Sequence, residues 1–207
     1  MKLLWTNKAF LLLCVGLTCL YYVITGIQYW ISDYMITVLK QDETIVFTTF
    51  TFDTITGPVF GVIIGGNVTT KLGGYNAKKA LILTLALCFF CFGVSAPIPF
   101  VNNFWVFNTF LWLLLFTGGF VLPCLTGIML NTVDKELKTT ANSIANLCYN
   151  LFGYLPSPFV YGAISDIGEG GNDKLSILAL MLVPIVCLVC ISQAARIIIR
   201  DDILHYK

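Results

Sequence analysis

The sequence is short of charged side chains. Lysine, arginine, aspartate and glutamate make up 11% of its 207 residues, whereas hydrophobic residues make up 57%. Because a soluble domain carries about 25% charged residues, the composition indicates an integral membrane protein. The net charge of +1 gives no electrostatic basis for binding nucleic acid, which depends on neutralising phosphates, so we expect no nucleic-acid partner.

The sequence also has a single histidine, which excludes several kinds of catalytic site. His205 lies in the C-terminal tail, so no Ser–His dyad or histidine-based metal site falls within an apolar segment. Neither a Gly-x-Ser-x-Gly elbow nor a phosphate-binding glycine loop is present. The pairs Cys88-x-x-Cys91 and Cys187-x-x-Cys190 lie within apolar runs, where cysteine behaves as a small apolar residue. We therefore expect no enzyme activity, metal or cofactor.

Long apolar runs dominate what is present. A membrane-spanning helix needs about 20 mostly apolar residues, and six segments meet this requirement: residues 8–39, 44–70, 76–97, 103–132, 138–166 and 174–200. The connections between them are short, so consecutive helices should be antiparallel neighbours. The sequence thus predicts an all-α membrane protein in which residues 1–207 form a single six-helix bundle.

The positions of the basic residues predict the orientation of this bundle. If the N-terminus is cytoplasmic, Lys40 and Lys174 fall on the far side of the membrane, and the other ten of the twelve basic residues fall on the cytoplasmic side. Cytoplasmic loops are enriched in lysine and arginine. We therefore expect both termini to be cytoplasmic.

Four of the six segments carry polar side chains at helical spacing, whereas the third and sixth are almost wholly apolar. Since an unpaired polar group in hydrocarbon costs free energy, each polar stripe should face a protein interface or a hydrated cavity. The order polar, polar, plain occurs twice, which indicates two three-helix units; such units form inverted repeats in carriers. The polar residues include Thr25, Gln28 and Tyr29 in the first segment, Asp53 in the second, Asn108 and Trp112 in the fourth, and Asn142, Asn146 and Asn150 in the fifth.

Asp53 is the only carboxylate well inside a predicted span. An intramembrane acid is by default a functional candidate, as a proton relay, a cation ligand or a substrate contact. The alternative is a hydrated position near the outer surface, hydrogen-bonded to Thr49 or Thr56.

Two further stripes could form contacts between helices. Gly57, Gly61 and Gly65 recur at intervals of four, which lets another backbone approach closely, either within this chain or at a sliding contact between two moving bundles. Asn142, Asn146 and Asn150 share one helical face, and the same spacing places Ser157 and Tyr161 on its continuation.

Three stretches of the sequence resemble the C-terminal six-helix half of a major facilitator superfamily transporter, and most closely its spinster-like branch. Residues 25–34 are similar to the seventh helix of that branch, and residues 142–166 to its eleventh. Residues 65–75 with Lys78 and Lys79 resemble the loop signature of the superfamily. In that signature Gly66, Thr70, Lys71 and Gly73 stand at the motif positions, with Thr70 in place of an aspartate.

The resemblance implies half of a twelve-helix fold. The first and fourth segments would line the substrate cavity, the second and fifth would face the other half, and the third and sixth would face lipid. We expect substrate contacts at Thr25, Gln28, Tyr29, Asp53, Asn108 and Trp112, and an inter-bundle interface at Gly57, Gly61, Gly65, Asn142, Asn146 and Asn150.

The function that we expect is secondary transport by alternating access, which requires two bundles moving about a central site. The solute would be organic and amphipathic, or small and anionic or neutral; the resemblance to spinster-like carriers adds lipid-like molecules. The chain would be a fragment or a half-transporter that pairs with an N-terminal half, another chain or a second copy of itself. The alternative is a non-transporting membrane scaffold or regulatory subunit.

Overall fold

The computed structural model describes residues 2–75, 78–167, 173–201 and 203, and within these ranges the chain is entirely helical apart from its connections. The α-helices are α1 (Lys2–Thr6), α2 (Lys8–Thr37), α3 (Glu43–Lys71), α4 (Lys78–Ser95), α5 (Phe104–Asn131), α6 (Lys138–Tyr149), α7 (Pro156–Ser165) and α8 (Asp173–Arg200). Short 3-10 turns cover Ile98–Phe100 and Lys135–Leu137, and a π-helical segment covers Asn150–Tyr154.

Five of the described helical stretches are long and apolar enough to cross a membrane, namely α2, α3, α4 with the turn that follows it, α5 and α8. They match five of the six predicted segments to within a few residues. The predicted segment 138–166 is helical but divided, because the π-helical segment separates α6 from α7. The predicted start of the third segment, at residues 76–77, lies outside the described residues.

Side-chain caps determine where the long helices begin. Asn7 accepts a hydrogen bond from the Phe10 amide at the start of α2, at 3.0 Å. Asp42 accepts from the Thr44 amide before α3, at 2.9 Å, and Asn103 caps α5 in the same way. Such caps satisfy amides that have no partner in the first helical turn, so the starts of α3 and α5 are well defined.

Helices α3 and α5 lie side by side and run in the same direction. A Cβ on Gly65 would lie 2.7 Å from the Phe120 carbonyl oxygen, and one on Gly57 would lie 3.2 Å from the Leu115 Cβ. A Cβ on Gly61 would collide with α5 more severely still. The assignment of these three glycines to an inter-bundle interface is therefore wrong. All three are buried in a contact within the chain, because the lack of side chains lets the two backbones meet.

A second parallel contact joins α2 to the π-helical segment and α7. A Cβ on Gly153 would lie 2.7 Å from the Thr18 carbonyl oxygen. Beyond this point Ser157 donates to the Tyr22 carbonyl oxygen at 2.6 Å. Helix α8 packs against α2, while α4 packs against both α5 and α8.

The π-helical segment changes which residues face the interior. Asn142 and Asn150 are exposed, whereas Ser157 and Tyr161 are buried, with 0% and 4% of their surface accessible. The prediction that these two continue the asparagine face is wrong. A π-helical turn holds more residues than an α-helical turn, so the residues after it are rotated about the helix axis relative to those before it.

Two apolar clusters form the core, one at each end of the bundle. One joins Phe10 and Leu17 of α2 to Ile191 of α8, and the other joins Ile31 of α2 to Phe107 of α5. Helix α5 contributes to both clusters, and 61% of its most apolar stretch is buried, against 17% for α3. Helix α5 is thus central in the bundle, and α3 lies at its edge with one broad face uncovered.

Candidate functional site

A cleft of about 490 Å³ opens between the N-terminal halves of α3 and α5. This volume is within the range of about 300–1,000 Å³ that is common for small-molecule sites. A smaller cavity of about 40 Å³ among α2, α4, α5 and α8 has an almost wholly apolar lining and offers little to orient a polar solute. The cleft is lined by Thr48, Thr49, Phe52 and Asp53 of α3 and by Trp105, Asn108, Thr109 and Trp112 of α5.

Asp53 lies at the inner wall of this cleft and is the charged group among its lining residues. It follows Glu43, the first residue of α3, by ten positions, which corresponds to about 15 Å along the helix axis. Only 2% of its surface is accessible, and the Asn108 side chain of α5 lies close to its carboxyl group at the wall of the same cleft. The carboxylate is thus held well inside the apolar part of the bundle.

Two polar atoms of this pair lack a partner. Asp53 Oδ2 and Asn108 Oδ1 are both buried, and neither has a hydrogen-bond partner within the described part of the chain. A buried acceptor without a donor costs about 1–3 kcal/mol. The pair therefore bears a cost in free energy that a bound hydrogen-bond donor would offset.

The hydroxyl groups near Asp53 do not hydrogen-bond to it. Thr49 donates to the Ile45 carbonyl oxygen at 2.9 Å, and Thr56 donates to the Phe52 carbonyl oxygen at 2.7 Å. Thr56 also accepts a hydrogen bond from the Trp112 indole nitrogen at 2.8 Å. The alternative in which Asp53 is satisfied by Thr49 or Thr56 is thus contradicted.

Aromatic rings form the apolar walls of the cleft. The Trp112 ring stacks on Phe116, with ring centroids 5.4 Å apart and an interplanar angle of 10°. Phe52 and Trp105 are more than half exposed. Trp105 and Thr109 were not among the predicted site residues, although their helical spacing from Asn108 and Trp112 places them on the same face of α5.

The three predicted contacts on α2 do not line this cleft. Gln28 and Tyr29 are exposed, and Thr25 donates to the Tyr21 carbonyl oxygen of its own helix at 2.9 Å. The structure therefore brings together Asp53, Asn108 and Trp112, and leaves the three α2 residues outside the cleft.

The asparagine face of α6 forms a ladder of hydrogen bonds on one helix. Asn146 donates to the Asn142 carbonyl oxygen at 2.8 Å, and Asn150 donates to the Asn146 carbonyl oxygen at 2.7 Å. The Tyr149 hydroxyl donates to Asn146 Oδ1, and the Tyr149 ring stacks on Tyr21. The face is polar and at least partly accessible to another molecule.

The loop motif closes the C-terminal end of α3. Thr70 donates to the Gly66 carbonyl oxygen at 2.8 Å, and Lys71 is exposed. Gly73 has a φ of 105°, which glycine adopts more readily than other residues. These contacts form a helix terminus of a common type.

Within the described ranges, no group of three or more histidine, cysteine, aspartate or glutamate residues could hold a metal ion. All eight cysteines are free. His205 lies outside the described residues. The polar chemistry of the described bundle is therefore concentrated in carboxylate, amide and hydroxyl groups.

The fold and the cleft together define a multi-pass helical membrane protein with a buried carboxylate facing an open site. The sequence matches the model of the Major Facilitator Superfamily over residues 1–158, which is more than half of the chain. The chain therefore belongs to the Major Facilitator Superfamily, a family of membrane transporters, as its sequence predicted. Among curated protein sequences, none matches this one.

The fold is similar to that of a bacterial homolog of the human lysosomal transporter Spinster, whose crystal structure is inward-facing and unoccupied. The TM-score is 0.71 at 13% sequence identity, and the match covers 93% of this chain and 48% of that one. This chain thus spans about half the length of the Spinster homolog. The likeness of fold agrees with the resemblance carried by residues 25–34, 65–75 and 142–166.

Proposed function

We propose that this chain is one six-helix half of a secondary carrier of the spinster-like branch, and that it moves an organic, amphipathic solute across the membrane by alternating access. The observation that carries the proposal is the buried Asp53–Asn108 pair, with two unpartnered polar atoms at the wall of an open cleft. A helix that only anchors a protein in lipid has no use for such a pair.

The division of α6 from α7 is compatible with a sixth span. Residues 138–165 are helical or π-helical almost throughout, and at about 1.5 Å per residue they are longer than the 30 Å core of a typical bilayer. Irregular backbone is tolerated within a membrane where protein or a cavity covers it, and here α2 packs against the π-helical segment.

The helix contacts support two inverted repeats, made of α2–α4 and of α5–α8. The packing of α3 on α5 corresponds to that of the π-helical segment and α7 on α2, and the packing of α4 on α5 corresponds to that of α8 on α2. In both parallel contacts a glycine lies against a backbone carbonyl group, Gly65 against Phe120 and Gly153 against Thr18. If the two three-helix units are related by symmetry, each contact made by one unit should have an equivalent contact made by the other, and these contacts form such pairs.

The asparagine face of α6 and the uncovered face of α3 are the surfaces that we assign to the second half. Asn142, Asn146 and Asn150 are polar groups that would otherwise face lipid. Gln28 and Tyr29 of α2 are exposed too, and with Thr25 we assign them to the solute path between the halves. The second half is an N-terminal half, another chain or a second copy of this one.

The orientation that we propose has both termini in the cytoplasm, since ten of the twelve basic residues then lie on that side. Epitope tags at each terminus should become accessible to antibody only after the membrane is permeabilised. A tag that is accessible on intact cells would contradict this orientation.

Reconstitution into liposomes tests transport. We would measure the flux of single-chain amphiphiles with anionic, neutral and cationic head groups, for the wild type and for Asp53→Asn, Gln28→Ala and Asn150→Ala. A carrier loses flux in these variants while they still insert into the membrane. If the wild type moves none of the amphiphiles, or if the variants move them equally well, the chain is better described as a scaffold.

The dependence of flux on protein density tests the half-transporter. If two copies form the carrier, flux at low protein-to-lipid ratio should rise with the square of that ratio. Co-expression with a separate N-terminal half should restore flux if the partner is another chain. Full flux from liposomes that each contain a single copy of the chain would show that one chain suffices.

A further inference from the structure

We propose that the cleft between α3 and α5 selects solutes that carry a protonated amine next to an apolar group. This inference rests on the proposed function, because it assigns the solute class of the same site. The sequence predicted a solute that is amphipathic, or small and anionic or neutral. The cleft narrows this choice of solute to an organic ammonium ion.

The hydrogen-bonding inventory of the cleft is the first argument. Both unpartnered buried atoms, Asp53 Oδ2 and Asn108 Oδ1, are acceptors. An ammonium group has three N–H donors and no acceptor, so it can satisfy both atoms at once. A carboxylate or phosphate offers only acceptors and would leave both atoms unsatisfied.

Most donors around the cleft are already engaged. Thr48, Thr49 and Thr109 donate to carbonyl oxygens of their own helices, so their hydroxyl groups present only lone pairs to the cleft. The Trp112 indole N–H is taken up by Thr56. The donors that remain are the indole N–H of Trp105, whose side chain is 61% exposed, and the amide N–H groups of Asn108. The cleft is therefore rich in acceptors where it is buried.

The distribution of charge is the second argument. The residues that line the cleft include Asp53 but no lysine, arginine or histidine, and α5 contains no charged residue at all. The ion pair that the described residues form, Arg200 with Asp201, lies at the end of α8. Because Asp53 has no counter-ion among the described residues, a cationic solute would balance its charge, whereas an anionic solute would be repelled.

The aromatic walls are the third argument. Indole rings attract ammonium ions through their π-faces, and Trp112 is held in place by its stack on Phe116 and by its bond to Thr56. Phe52 and Trp105 add exposed apolar surface beside the carboxylate. A site with a carboxylate, an amide oxygen and aromatic rings fits an amine that is attached to an apolar chain.

Binding measurements with one chain length and four head groups test this selection. The probes are dodecylamine, dodecyltrimethylammonium, dodecanol and dodecanoate, and binding to the full chain in nanodiscs is followed by the quenching of tryptophan fluorescence. We expect dodecylamine to bind about tenfold or more tightly than dodecanol, since hydrogen bonds to charged groups are among the stronger ones. The quaternary ion should bind less tightly than the primary amine, because it has no N–H donor.

Asp53→Asn provides the decisive variant, and Asp33→Asn is its control, because Asp33 is an exposed carboxylate of α2 outside the cleft. The preference for dodecylamine should disappear in Asp53→Asn and persist in Asp33→Asn. If Asp53→Asn fails to fold, Asn108→Leu serves in its place and should weaken the preference. Equal binding of dodecylamine and dodecanol to the wild type, or tighter binding of dodecanoate, would overturn the proposal; equal binding of the two cations would overturn the role of the N–H donors.

The outcomes also separate this inference from the proposed function. If dodecylamine binds through Asp53 but is not transported, the selectivity stands and the carrier function fails. If a non-cationic solute is transported in a way that requires Asp53, the carrier function stands and the selectivity fails.

Discussion

The two parallel helix contacts of this bundle have similar packing but differ in whether their buried polar groups have hydrogen-bond partners. Both bring a glycine against a backbone carbonyl group of the partner helix. Where α7 meets α2, Ser157 donates to Tyr22 and the Trp30 indole donates to Pro158, at 2.6 and 3.0 Å. Where α3 meets α5, the buried Asp53–Asn108 pair retains two unpartnered atoms. The same packing thus yields one closed, satisfied contact and one open cleft, and the chemistry lies in the second.

The two contacts also differ in whether the helix backbone is continuous. Helix α3 is continuous over its 29 residues despite Pro58, whereas its counterpart is interrupted at Asn150–Tyr154 just before Pro156. The interruption rotates Ser157 into the interior, where it finds a partner. Helix α3 has no such interruption, so Asp53 and the glycines remain on one buried face.

The largest effect that we expect is the loss of the α3–α5 contact in Gly61→Ala. The new methyl group would collide with the Phe116 backbone, which cannot move as a flexible side chain could. Overpacking of this kind costs about 1–3 kcal/mol and occasionally more. The measurement is the thermal unfolding of the purified protein in detergent.

Gly66→Ala is the matched control for this substitution, because it lies on the same helix and a Cβ there would meet nothing within 4 Å. Its melting temperature should equal that of the wild type or exceed it slightly, since alanine favours a helix over glycine. Equal melting temperatures for the two variants would mean that α3 and α5 do not pack closely at Gly61.

A somewhat smaller loss is expected for Gly153→Ala at the other contact. The new methyl group would lie 2.7 Å from the Thr18 carbonyl oxygen, which is a less severe collision than the closer approach to the Phe116 carbonyl oxygen at Gly61. We expect a destabilisation of about 1–2 kcal/mol, measured in the same unfolding experiment. A loss greater than that of Gly61→Ala would show that the interrupted helix is the more rigid of the two.

Much of the helical framework could be predicted from the sequence. Long apolar runs bounded by capping residues determine where helices lie, so the predicted segments 8–39 and 44–70 agree closely with Lys8–Thr37 and Glu43–Lys71. The interruption of the segment 138–166 could not be predicted in this way. A search for helical spacing assumes a constant rotation per residue, and the π-helical segment breaks that assumption.

The site was predictable only in part, for a similar reason. Asp53, Asn108 and Trp112 are polar or amphipathic groups in apolar helices, and such groups need partners, so each could be named as a candidate site residue. The structure places all three in one cleft. Thr25 and Gln28 meet the same criterion but lie outside the cleft, because a stripe on one helix does not reveal which helix it faces. The glycine stripe was misassigned for the same reason.

An intermediate effect is expected for Ser157→Ala, which removes one hydrogen bond from the closed contact. Ser157 is fully buried, and a hydrogen bond of this kind contributes about 1 kcal/mol. Ser143→Ala is the control, because Ser143 is exposed and donates only to the Thr139 carbonyl oxygen of its own helix. If the two variants unfold at the same temperature, the bond from Ser157 to Tyr22 contributes nothing to stability.

The smallest effect on stability, together with a large effect on function, is expected for Asp53→Asn. The carboxylate has an unpartnered oxygen and no counter-ion among the cleft-lining residues, so its removal forfeits little and relieves the cost of a charge in an apolar bundle. The melting temperature should therefore stay the same or rise, as is common where a site carries strain for function, while solute flux is lost. A fall in melting temperature as large as that of Ser157→Ala would mean that Asp53 is a structural group like Ser157, and the distinction between an open and a closed contact would not hold.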